Sequence, residues 1–228
     1  VSTTVIEYVL SRLYDLGIHD IFGVPGDYAF PIEDAICVDE RLRWIGNCNE
    51  LNAAYAADAY ARTHGLAALS TTFGVGELSA INGIAGACAE SVTLFHLVGM
   101  PASHVQAAGA CVHHTLGNGD FTSFYEATDS FVCARAILTP ENCIAETERL
   151  IEAALRYRKP VYMGFPSDYA MMPIVADTAQ PAAEPVSDPQ ILNEVIDVIA
   201  ERLNNSDSVC ALPGIYLVRH GVQQERRR

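Results

Sequence analysis

Positive charge is scarce in this chain of 228 residues: 14 Lys and Arg stand against 28 Asp and Glu, a net charge of −14. Such a balance repels phosphodiester backbones and anionic lipid, and the longest uninterrupted basic run is Arg226-Arg227-Arg228 at the end of the sequence. Nucleic acid and membrane surfaces are therefore not expected as partners. No apolar run approaches the ~20 residues of a membrane span, and the first residues lack the basic-then-apolar order of a secretion leader. A cytoplasmic location is expected. Cys-x-x-Cys pairs are also missing, and the seven cysteines (37, 48, 88, 111, 133, 143 and 210) are an odd number, which cannot form a closed disulfide set. They are expected to be reduced and mostly buried thiols. Only Cys111, close to two histidines, stands where a nucleophile would be useful. Internal repeats and low-complexity runs are absent too, so a globular fold has to come from ordinary periodicity.

That periodicity alternates between strand and helix. A capping box at Thr4 and Glu7 opens a first helix that Gly17 stops. Strands are expected at 21–24, 42–46, 66–72, 92–98, 131–137 and 161–165. Between them lie helices at about 30–38, from the cap Asn49 to His64 with Gly65 behind it, at 77–90 and at 140–158. Apolar strands separated by helices specify an α/β fold: a six-stranded parallel sheet with helices on both faces. Composition shifts after Pro166, where residues 171–189 contain four prolines among small and acidic residues, as in an interdomain tether. A helix at 191–203 and strands at 209–212 and 215–218 then look like the start of a second α/β domain. The expected division is a first domain over 1–168, a linker over 169–189 and the opening of another domain over 190–228.

Ligands of an open parallel sheet collect at the carboxyl ends of its strands. Four loops there carry polar groups or glycine: Pro25-Gly26-Asp27-Tyr28, Asn47-Cys48-Asn49-Glu50, Phe73-Gly74-Val75-Gly76-Glu77, and the stretch around His113-His114. Gly74-Val75-Gly76 lacks the third glycine of a dinucleotide fingerprint, since Ser79 stands there, and Glu77 would aim negative charge at a phosphate on that helix end. The glycines better suit close approach of a flat, neutral ring. Asp27 and Glu50 each have an ordinary helix-start explanation. Two carboxyls and two imidazoles converging on one sheet edge are nevertheless the make-up of a proton-transfer site, with Asp27, Glu50, His113 and His114 as candidates. Neighbouring residues of an extended segment point to opposite sides, so the two histidines are not expected to grip one metal ion.

These motifs together resemble the amino-terminal pyrimidine-binding domain of thiamine-diphosphate-dependent 2-oxo acid decarboxylases, the pyruvate, indolepyruvate and branched-chain keto acid group. The resemblance rests on Phe22-Gly23-Val24-Pro25-Gly26-Asp27-Tyr28, Asn49-Glu50-Leu51-Asn52-Ala53, residues 71–80 and His113-His114-Thr115-Leu116-Gly117, in the family's order and spacing. Val218-Arg219-His220-Gly221 looks like the family's entry into its central domain. Ala29, Ala59 and Cys88 depart from the family's usual residues without removing a proton-handling group. The resemblance implies non-oxidative decarboxylation of a 2-oxo acid to an aldehyde and carbon dioxide. Glu50 would bond the aminopyrimidine and promote the tautomer that activates the thiazolium. Asp27, His113 and His114 would position substrate and move protons, and Pro25, Thr72, Gly74 and Val75 would line the cofactor with Glu50. It further implies a homo-oligomer, and magnesium and diphosphate held by a Gly-Asp-Gly to Asn-Asn segment that these 228 residues do not contain. Alone, the chain is then expected to be inactive. A carboligating relative of the acetolactate synthase kind and a truncated product that only binds partners remain as alternatives.

Overall fold

The computed structural model describes residues 3–175 and 186–219. Two compact units divide the chain, Val1–Ala183 and Glu184–Arg228.

The first unit is built on a six-stranded, wholly parallel sheet in the order β2-β1-β3-β4-β6-β5. The strands are β1 (Asp20–Gly23), β2 (Arg43–Gly46), β3 (Leu66–Thr72), β4 (Thr93–Met100), β5 (Ala134–Ile137) and β6 (Val161–Pro166). Every residue of β3 from Ala67 on, and all of β4 and β6, is buried, as strands covered on both faces require. One face is packed by α1 (Val5–Asp15), α2 (Phe30–Val38) and α7 (Cys143–Tyr157), through Val9, Leu13, Ile32, Ile36, Leu150 and Ile151. The other is packed by α3 (Glu50–His64) and α4 (Val75–Ala89), whose alanines and glycines let the two helices lie close, with Gly83 directly against Ala54. A satellite cluster of Phe73, Phe121, Phe124 and Tyr162 underlies the long connection after β4, which contains the short helices α5 (Ser103–Ala107) and α6 (Ser123–Ala127).

Caps behave as the sequence dictates: Thr4 accepts the Glu7 amide and Glu7 returns to the Thr4 amide, and the Asn49 side chain accepts the Asn52 amide at 3.1 Å. The helix α7 starts at Cys143 and not at 140, because Thr139 and Asn142 exchange side-chain and backbone bonds in a turn first. β5 is shorter than expected and begins at Ala134, since Thr128–Ser130 continue α6 as a 3₁₀ turn.

Residues 169–175, expected as tether, lie on the first unit. The helix α8 (Ser167–Ala170) follows β6 directly, Pro173 forms a bridge with Thr4, and the Val5 amide donates to the Met172 carbonyl at 3.0 Å. Residues 176–185 of the expected linker, and His220-Gly221 of the resemblance at the second unit, lie outside the described residues. In the second unit α9 (Pro189–Asn204) forms as expected. The two strands expected behind it do not: 209–212 is irregular, and 215–218 is largely the helical turn α10 (Tyr216–Arg219). A strand must hand its amides and carbonyls to a neighbour, and among the described residues of this unit there is no sheet to receive them.

Thiol burial is a second correction. Only Cys143 is buried; Cys37, Cys48, Cys111 and Cys210 are exposed, and Cys88 and Cys133 are intermediate. Small size lets cysteine occupy loop and helix surfaces as well as cores, and four of the seven do so. No described helix is long and apolar enough to cross a membrane.

Candidate active site

Strand β1 pairs with β2 on one side and β3 on the other, so the chain leaves β1 in one direction and returns past it in the other. A crevice opens at such a reversal, beyond the carboxyl ends of the strands. The loops after β1 and β3 form its walls and touch: a Cβ on Gly26 would lie 2.4 Å from the Thr72 Cβ. Two groups of side chains meet there.

The first contains Glu50, Thr72 and Gly76. Glu50 is the first residue of α3, held there by the Asn49 cap. A Cβ on Gly76 would lie 3.3 Å from Glu50 Oε1 and 3.0 Å from Thr72 Cγ2, so absence of a side chain at 76 leaves space facing a carboxylate. The Thr72 Oγ1 and Ser70 Oγ atoms, at the end of β3, are buried without a hydrogen-bond partner. Buried hydroxyls are normally satisfied, and the Thr72 orphan, whose side chain meets the vacated Cβ position of Gly76 that also faces the Glu50 carboxylate, fits a flat heterocycle carrying donors and acceptors. Pro25 is exposed at the lip, and Val75, at the first turn of α4, is also exposed.

The second group contains Asp27, Tyr28, His113 and His114. Asp27 does not cap α2; Ala29 stands at the N-cap of that helix, without a side-chain bond. Its carboxylate instead meets His113 Nε2 at 2.5 Å. Tyr28 stacks on the His113 ring, centroids 4.8 Å apart and planes within 14°, and its hydroxyl lies 3.4 Å from Nδ1 and donates to the His113 carbonyl at 3.2 Å. Burial, and then the charge of Asp27, raise the Tyr28 phenol above its ordinary range. The two histidines do not diverge as an extended segment would make them. His114 adopts φ +61°, which turns both imidazoles to one side, with ring centroids 4.6 Å apart. The His114 carbonyl rests on Gly74, itself at φ +66°, where a Cβ would stand 2.1 Å from that oxygen.

Glu77 is a further correction, because its carboxylate does not point out of the α4 amino terminus. It folds back to accept the Gly74 amide at 2.8 Å and the Tyr162 hydroxyl at 3.0 Å. Burial pushes it up to about 7 against the pull of those bonds. It therefore fixes the Gly74 turn on which the histidine loop sits. Sequence reasoning did not single out this role, nor those of Tyr28 and Glu33. Glu33 lies buried on α2 and accepts the Gly26 amide at 3.4 Å; burial raises it to about 7. A carboxylate flanked by Ile32 and Ile36 on an inward helix face was the available signal.

Fold and crevice thus define an α/β module in which a loop bearing two histidines stands beside a glycine-lined cradle. Residues 3–123 match the family model described as the thiamine pyrophosphate enzyme, N-terminal TPP binding domain. The chain belongs to that family. It is 40% identical over 226 residues to pyruvate decarboxylase isozyme 3 of Saccharomyces cerevisiae, covering 97% of this chain and 40% of that one. It is 46% identical over 170 residues to the alpha-keto-acid decarboxylase of Mycobacterium avium, covering 75% of this chain and 30% of that one. The solved structure of a thiamine diphosphate-dependent 4-hydroxybenzoylformate decarboxylase from Rhodococcus jostii shares the fold, with TM-score 0.70 and 17% identity, over 87% of this chain and 37% of that one. The chain spans about two fifths or less of the length of these relatives.

Proposed function

We propose that the chain forms the pyrimidine half of the site in a thiamine-diphosphate-dependent 2-oxo acid decarboxylase, a non-oxidative carboxy-lyase releasing carbon dioxide and an aldehyde. The observation that carries this reading is the Asp27–His113 contact at 2.5 Å on the lip of the cradle made by Glu50, Thr72 and Gly76. Two of the relatives above bear the names of decarboxylases of 2-oxo acids, and similarity to the first runs over 97% of the chain.

When bound, thiamine diphosphate supplies the electron sink that a departing carboxylate needs. Glu50, at the floor of the cradle, holds a proton at a pyrimidine nitrogen. Thr72 Oγ1 and Ser70 Oγ provide the polar contacts that orient the ring, and Gly76 lets it come close. Asp27, 2.5 Å from His113 Nε2, would hold a proton on that nitrogen and orient the ring. His113, stacked on Tyr28, then delivers that proton to the product carbon, and His114 lines the same wall. An acid–base pair of this kind typically contributes 10²–10⁴-fold to rate.

In the complete protein, magnesium and the diphosphate would be held by a further segment, and a second copy would close the crevice. Support for that closure comes from Tyr55, Val75 and Leu78, exposed apolar side chains on α3 and α4 at the site's edge. A cytosolic location agrees with seven free thiols.

The test is Glu50→Gln in the complete protein. Exchange of the thiazolium C2 proton of bound cofactor, followed by quenched-flow NMR, is expected to slow by about two orders of magnitude or more. Exchange at the unsubstituted rate would remove Glu50 from the mechanism.

A further inference from the structure

The left-handed turn at His114 has a chemical result beyond proton transfer. With both imidazoles on one side of the loop, Asp27, His113 and His114 each offer one ligand atom, and these atoms all lie within 4.8 Å of one another. His114 Nδ1 is buried and makes no hydrogen bond, so one ring nitrogen of the trio is uncommitted. The Asp27 and His113 side chains are 43% and 57% exposed, which leaves the cluster open to solvent ions and leaves both side chains room to spread from 2.5 Å to the wider separation of two ligands on one ion.

Two imidazoles and one carboxylate, with the remaining positions open to water, are a donor set for borderline divalent ions such as zinc, cobalt or nickel. Magnesium and calcium prefer six or more oxygens, which this cluster lacks. The groups are also held in place: Tyr28 stacks on His113, and the His114 carbonyl is seated on Gly74. Outer contacts that fix a ligand's orientation strengthen a site.

We propose that Asp27, His113 and His114 form a binding site for a divalent transition-metal ion of the zinc class. The ion takes the place of the proton shared by Asp27 and His113, which is released to water, and water completes the coordination. Because it occupies nitrogen lone pairs needed for proton transfer, metal loading and proton transfer exclude each other at this loop.

Cobalt(II) added to the 228-residue chain reports the site through its visible absorption, with calorimetry giving stoichiometry. One equivalent is expected, displaced by zinc and not by excess magnesium. Asp27→Asn, His113→Asn and His114→Asn should each weaken binding about tenfold or more, whereas His64→Asn should leave it unchanged, with circular dichroism confirming the fold of each variant. The exposed positions 27 and 113 tolerate substitution most readily, so they decide the matter if the half-buried His114 does not. Absence of saturable binding, displacement by magnesium, or an affinity indifferent to Asp27→Asn and His113→Asn would each overturn the assignment. None of these readouts depends on decarboxylation, so the proposed activity stands or falls separately.

Discussion

At the scale of single residues, the site depends on groups whose ordinary chemistry has been displaced by burial. Glu77 is the clearest case, moved from 4.5 to about 7 by desolvation while bonded to Gly74 and Tyr162. Between those values the folded chain keeps this proton and the unfolded chain has lost it. Its contribution to stability is therefore complete below pH 4.5 and disappears as pH rises through 7, a loss of about 3 kcal/mol. Glu33 acts in the same direction. His96 acts oppositely: burial lowers it from 6.5 to about 3, and stability is lost as pH falls through that range. Glu77→Gln keeps an acceptor for Gly74 and carries no titrating proton. Urea unfolding across this window should show a shallower decline toward neutral pH, with the Glu33 share remaining. A variant whose midpoint follows the unsubstituted chain at every pH would contradict the role given to Glu77. The same residue marks a limit of sequence reading. A glutamate in a first helical turn looks like a dipole partner, and only the three-dimensional approach of Tyr162, from β6, reveals that it points inward.

Helices and strands were much more legible. Periodicity and caps located all six strands of the first unit and its five long helices, because each buried segment satisfies its own backbone pattern and its own stop signal. Asn49 illustrates how such a local signal serves the site. Its side chain accepts the Asn52 amide, which fixes the first turn of α3 and with it Glu50. Asn49→Ala is expected to cost about 1 kcal/mol, read by chemical denaturation, together with faster hydrogen exchange at the Asn52 amide. An unchanged exchange rate would show that packing alone holds this turn. The histidine loop was legible in composition and not in conformation: Gly117 and Gly119 announce a loop, but nothing in Val112-His113-His114 announces a left-handed backbone at a histidine. That single dihedral separates two imidazoles facing apart from two facing together. Strands in the second unit were misread for a related reason. Val209 and Leu212 suit a strand, yet they are 60% and 91% exposed, and strand formation is a property of pairs.

For the first unit as a whole, long-range contacts between its outer helices do the work that local signals cannot. Arg12 on α1 grips Glu148 on α7 with two bonds, 2.7 and 3.1 Å, and the Tyr8 hydroxyl adds a third at 2.7 Å. Side-chain exposures of 15% and 6% mean that this pair is largely out of water. Arg12→Ala should cost about 3 kcal/mol, because it takes a guanidinium with two hydrogen bonds away from a largely buried carboxylate. Adding Glu148→Leu to that variant should recover part of the loss in equilibrium unfolding. Two substitutions whose costs simply add would show that the pair is not coupled.

The bridge between Thr4 and Pro173, with the Ile174 amide donating to the Thr3 carbonyl at 3.0 Å, brings the two ends of the described part of this unit to the same point. A polypeptide that leaves where it enters can be spliced into a host loop, or closed into a ring and reopened at a surface turn, without breaking a strand. The crevice would travel intact, since Asp27, Glu50, Thr72, Gly76, His113 and His114 all lie between Thr4 and Pro173.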